Sequence, residues 1–174
     1  MVEFLKDVVW NFQLRKKFKS FEHQSRENVS PVKTMAVLLP EDLKLEKQVF
    51  DALAKSLNIS PDNITFVEFT RKKIEERSTD QKRSIYCSRK DVSVGGNFSS
   101  EMQLFFNTRI DILINYFSVR ETFPELISMN CNAALRLGFS QANFKINDVI
   151  LDMDPLETNL FLVESTNYLK SFLK

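Results

Sequence analysis

Two short apolar runs constrain this chain most: Thr34-Met-Ala-Val-Leu-Leu39 and Ile110-Asp-Ile-Leu-Ile-Asn-Tyr-Phe117. Consecutive rather than alternating apolar positions are the mark of a strand covered on both faces. Such strands require helices above and below them. The second run is the stronger and is expected at the centre of the sheet. Between the runs, Pro40-Glu41-Asp42 reads as a helix start, with proline early and carboxylates in the first turn. Leu45, Val49, Ala52, Leu53 and Leu57 form that helix's apolar stripe, Ser60-Pro61-Asp62-Asn63 a turn, and Ile64–Thr70 a second strand. Strand, helix, strand is a βαβ unit, whose crossover is right-handed.

Further along, Val92–Val94 reads as a short strand that passes through Gly95-Gly96 into a helix near Ser99–Asn107. Thr122-Phe-Pro-Glu125 has the spacing of a capping box. Leu135–Phe139 and Asp148–Asp152 read as strands joined by a loop too short for a crossover, so the last strand is expected antiparallel at an edge. Asp154-Pro155-Leu156-Glu157 reads as the cap of a final helix whose buried face holds Phe161, Tyr168, Leu169 and Phe172. The expected fold is a three-layer α/β domain. It has a mostly parallel sheet of five to six strands, an antiparallel C-terminal edge and an amphipathic N-terminal helix.

At 174 residues the chain suits one domain, and sixteen Phe against three Gly favour a solid core over a loop-rich scaffold. Residues 1–21 read as the leading helix, 22–33 as a linker, and 34–174 as the domain, with a charged, mostly irregular insertion at 71–90. Leu5, Val8, Val9 and Phe12 recur at helical spacing in the leading segment. Three roles are open to that helix: packing on its own sheet, docking on a partner, or lying on a membrane surface.

The order Asp111-Ile-Leu-Ile-Asn115, Asn132-Ala-Ala-Leu-Arg-Leu-Gly-Phe139, Asp148-Val-Ile-Leu-Asp152 and a terminal helix with Tyr168-Leu169 follows Ser88-Arg-Lys-Asp91 and a glycine pair. This arrangement resembles a Bacteroidetes-type family of short cytosolic α/β proteins classed as a domain of unknown function. That family also tends to open on a basic amphipathic helix. The resemblance implies a fold and a compartment. It implies no activity, and no catalytic residue carries over.

The residues themselves offer no catalytic set, and no metal or cofactor site is expected. His23, the only histidine, falls in the linker, a poor place to hold a general base. Cys87 and Cys131 lack metal-ligand spacing and read as core fillers in a reducing compartment. Glu3 and Asp7 interrupt any leader-like start, and no apolar run reaches the length of a membrane span, so a cytoplasmic location without integral membrane contact is expected. Asp148, Asp152 and Asp154 look like an acidic cluster, although Asp154 and Glu157 are accounted for by capping. Asp111 is expected to bind loop N–H groups.

Two functional readings follow. Net charge is only +1, but residues 71–90 hold eight cations against three acids. With Arg15, Lys16, Lys17 and Lys19, the residues Arg71, Lys72, Lys73, Lys82 and Arg83 could form a basic face, with Trp10 on the adjoining helix. The first reading is therefore a non-catalytic module that contacts a protein or RNA partner. The alternative is an enzyme or small-ligand binder. It would use the carboxyl ends of the strands at Asn115 and Ser118, together with the turn Gly95, Gly96, Asn97 and Ser99.

Overall fold

The computed structural model describes residues 1–22, 31–43, 45–72 and 82–173. Among the described residues six strands form one sheet: β1 (Met35–Pro40), β2 (Ile64–Thr70), β3 (Ser84–Ser88), β4 (Arg109–Asn115), β5 (Asn132–Phe139) and β6 (Val149–Leu151). The helices are α1 (Val2–Glu22), α2 (Gln48–Ser56), α3 (Ser100–Asn107), α4 (Thr122–Asn130) and α5 (Thr158–Phe172). The strand order is β3-β2-β1-β4-β5-β6, and every pairing is parallel.

This is a doubly wound sheet. The chain moves outward from β1 to β3, returns to β4 beside β1, and moves outward the other way. One apolar layer packs Phe50, Leu53 and Ala54 of α2 with Phe161 and Leu169 of α5. The opposite layer packs Trp10, Leu14 and Phe21 of α1 with residues of α3 and α4. Alternate side chains of β1 feed the two layers, Ala36 and Leu38 on one side and Met35, Val37 and Leu39 on the other. The leading helix therefore packs on its own domain.

Asp111 has the expected role. Its Oδ2 accepts the N–H groups of Lys33 and Thr34 at 2.8 and 3.0 Å and so ties the entry of β1 to β4.

Several expectations are corrected. The final strand is parallel, not antiparallel. Residues 140–148 manage the crossover because a single 3-10 turn, Phe144–Ile146, replaces a helix, with Ala142 and Ile146 plugging the core beneath it. Part of the insertion is sheet: Ser84–Ser88 is the edge strand β3, whose alternating inward residues Ile85 and Cys87 were hidden among charges. Val92–Val94 is not a strand; Val92 drops into the core directly after a 3-10 turn. Pro40 does not open a helix. It closes β1 opposite Phe69, and Glu41 N–H then bonds the Phe69 carbonyl, so α2 starts only at Gln48.

Neither expected cap forms as read. Glu125 turns into the interior instead of back onto Thr122. Asp154 accepts the N–H of Leu156 in a turn, and α5 begins at Thr158.

Candidate functional site

In a doubly wound sheet, the two strands at which the winding reverses diverge in their outgoing connections, and a crevice opens beyond their carboxyl ends. Here those strands are β1 and β4, and a cleft of about 730 Å³ lies there. Its rim comes from the segments leaving four strands: Glu41–Leu43 after β1, Arg71 and Lys72 after β2, Ser118, Val119 and Glu121 after β4, and Asp154–Leu156 between β6 and α5.

The floor is aromatic and belongs to both layers. On one side Tyr116 meets Phe50, Phe139 and Phe161 edge to face, at 5.2, 5.0 and 4.9 Å between centroids. Its hydroxyl donates to the Pro155 carbonyl. Burial, with the Asp154 carboxylate adding to it, pushes that phenol up to about 12, so it remains a proton-bearing strut. On the other side Phe69 packs against Phe117 and Phe123, and Phe123 stacks on Trp10 at 5.8 Å. Rings locked in this way give the cleft a preformed shape.

Charge over this floor is divided. Arg71 and Lys72 stand exposed where β2 ends, and Arg71 reaches Glu121 at 2.6 Å. Asp42 and Asp154 lie on the segments that lead toward α2 and α5. The turn after β1 contains no glycine, so it offers no close backbone cradle for a pyrophosphate of the dinucleotide-fingerprint kind.

Of the residues singled out in the sequence, Ser118, Arg71 and Lys72 line the cleft. Asn115 does not, because it is fully buried and gives its amide to Asn147 Oδ1 at 2.7 Å. Gly95 and Gly96 are absent from the lining and face α1 instead. The Gly95 carbonyl accepts Gln13 Nε2 at 2.8 Å, and Gly96 has φ of 76°. Asn97 N–H bonds Ser93 Oγ, and Ser99 caps α3 by accepting from Met102 N–H. The turn is thus built to receive the leading helix.

The basic residues do not gather on one face. Trp10 is fully buried and donates to the Ser93 carbonyl, so it anchors α1 and takes no part in an exposed surface. Arg15, Lys16 and Lys19 are exposed on α1, and Lys17 is half-buried, its pKa lowered by burial. Lys82 is exposed, whereas Arg83 binds Asp51 of α2 at 2.8 Å and covers Phe66, on the layer opposite α1. Lys73 and His23 lie outside the described residues. Asp148 and Asp152 bond Arg136 N–H and Ser140 Oγ at the two ends of the β5–β6 pair. Cys87 and Cys131 are buried free thiols pushed up to about 12 by burial, which keeps them protonated and unreactive. Among the described residues, no helix is long and apolar enough to cross a membrane.

Sequence reasoning missed the aromatic floor of Phe69, Phe117 and Phe123. Each of these reads as ordinary core until strand order brings them to one crevice.

Glu125 lies just behind this floor, buried, with its Oε2 accepting Asn143 Nδ2 at 2.9 Å. Burial raises its pKa more than the Asn143 hydrogen bond and the Arg120 charge lower it. Its folded state thus favours the neutral acid. The stability this contributes is full below the ordinary carboxylate range of about 4 and is lost as pH rises through the raised value. Glu125→Gln keeps an acceptor for Asn143 and never ionises. It should match the wild type at acidic pH and become the more stable protein as pH rises, in urea melts taken from about pH 4 to 8. A constant offset across that range would refute this role.

No curated protein and no solved structure matches the chain. A family model does, over residues 6–172, so the chain belongs to a family of unknown function, DUF6913.

Proposed function

We propose that this protein binds a small organic molecule in the cleft above β1 and β4. The observation that carries the reading is the preformed aromatic floor at the switch point, where four strand-end segments converge. An apolar cavity with a few convergent polar groups is the usual form of a ligand site. The occupant suited to this one has a flat apolar body and an anionic group. The body rests on Phe69, Phe117 and Tyr116, and the anion meets Arg71 and Lys72. Asp42 and Asp154 favour hydroxyl or amine donors at the other end. Nothing in the reading requires catalysis. It keeps the chain in a cytosolic, reducing compartment, which is supported by two free buried thiols.

A thermal-shift screen with nucleotides, sugar phosphates and acyl-CoA tests it. A ligand present at a hundredfold excess over its Kd stabilises by about 2.7 kcal/mol. Ser118→Trp, which fills the cleft from a partly exposed position, should abolish the shift. Arg71→Ala should weaken binding roughly tenfold, the scale of one hydrogen bond to a charged group. A hit that survives Ser118→Trp, or no hit among the anionic compounds, would overturn the assignment.

A further inference from the structure

We propose that the outward face of α1 docks on an anionic membrane surface. Its apolar N-terminal half enters the interface, while Arg15, Lys16 and Lys19 meet lipid phosphates.

The helix is apolar on two sides. One side, with Trp10, Leu14 and Phe21, is used up by the core. On the opposite side Phe4, Val8 and Phe12 recur at four-residue spacing and stand 71%, 52% and 65% exposed, with Leu5 beside them at 46%. Aromatic and aliphatic side chains in a continuous exposed row mark an interaction surface rather than scattered surface residues. Arg15, Lys16 and Lys19 continue the same face toward the helix C-terminus, all exposed. No acid shares it among the described side chains. Glu3 and Asp7 sit on the flank, where Arg89 binds them at 2.8 and 2.9 Å and Lys6 reaches Glu3 at 3.4 Å.

This charge pattern selects the occupant. A second copy of the chain would set these cations against a face whose described side chains include no acid, whichever way the two helices ran. A protein partner accommodates an acid anywhere it can pair one, so it does not require an acid-free face. A uniformly negative surface repels every acid, and apolar insertion beside long cationic side chains is how interfacial helices bind it. The row is also a convex ridge, which a fluid interface accepts without a matching groove.

Co-flotation of the full chain with vesicles tests the proposal. One set is phosphatidylcholine alone and the other contains about a third phosphatidylglycerol, to supply the surface potential. The protein should float with the anionic set only, and less as salt increases. The double variant Lys16→Glu with Lys19→Glu should weaken binding by more than about tenfold, since each cation near the surface is worth roughly fivefold. Phe4→Ser with Phe12→Ser, at exposed positions, should abolish flotation while far-UV circular dichroism stays unchanged. Four results would each overturn the proposal. They are no flotation on anionic vesicles, equal flotation on neutral ones, RNA binding that persists in the Phe4→Ser, Phe12→Ser variant together with unchanged flotation, and a concentration-dependent dimer that this variant dissolves.

Discussion

Trp10→Ala is expected to destabilise the fold by about 3–5 kcal/mol, the cost of removing a large aromatic from a packed core. Trp10 is the only tryptophan and is fully buried. It stacks on Phe123 at 5.8 Å, its indole N–H donates to the Ser93 carbonyl at 3.2 Å, and the Arg89 guanidinium lies 4.8 Å from its ring. Truncation removes all of these together and leaves a void between α1, α4 and the loop that carries Gly95. Urea unfolding followed by far-UV circular dichroism reads the loss. Phe12→Ala, two residues on and so on the opposite, outward side of the helix, should change stability by no more than about 0.5 kcal/mol. Equal effects from the two variants would mean that α1 is not docked as described. The same void lies behind Phe123, which lines the cleft. Trp10→Ala should therefore also weaken any ligand that Ser118→Trp excludes, although Trp10 touches no cleft surface.

The second large effect is expected at Gly138. A Cβ built there would lie 2.4 Å from Asn147 Nδ2 and 2.7 Å from its Cγ and Oδ1. Asn147 is itself buried, and its Oδ1 takes the amide of fully buried Asn115. Moving the side chain aside strands that amide. Gly138→Ala should thus combine overpacking, about 1–3 kcal/mol, with a lost buried hydrogen bond of similar size. Adding Asn147→Gly should recover the overpacking part and leave the hydrogen-bond part, so that the double variant falls between the single variant and the wild type. A fully additive double variant would show that the two residues do not collide.

The elements that were legible in the sequence are those whose signal is local. Met35–Pro40, Ile64–Thr70 and Arg109–Asn115 are apolar on both faces because helices cover both faces. Ser99 announced α3, and Asp111 its loop N–H partners, because a short polar side chain beside an open backbone donor has few other uses. What failed depended on distant partners. Ser84–Ser88 looks polar because only Ile85 and Cys87 of this edge strand pack on the apolar layer, between serines and a tyrosine. Pro40 looked like a helix start until β2 was seen to need a partner as far as Phe69. Glu125 kept the spacing of a capping box, but Asn143 waits for it in the interior. The antiparallel edge rested on loop length alone, and a 3-10 turn seated on Ala142 and Ile146 spans the gap with fewer residues than a helix.

The candidate sites divide along the same line. Ser118, read from the rule that ligands lie beyond strand ends, does line the cleft, and so does Arg71, which its charge alone had placed on a partner-binding face. The glycine pair resembled an anion turn, yet it packs against Gln13 of a helix more than eighty residues earlier in the chain.

By itself the sequence determined the α/β class, the buried central strands, the first βαβ unit and the apolar, basic character of the leading helix. These follow from side-chain period and from capping and turn chemistry, which act over a few residues. Only the tertiary structure decided the strand order, and with it that β1 and β4 diverge over an aromatic crevice and that one face of α1 is consumed by the core while the other stays in solvent. The physical reason is that burial is a property of neighbours. An apolar residue carries the same signal whether its partner is a sheet, a ligand or a membrane, and only the assembled layers show which of its faces remains uncovered.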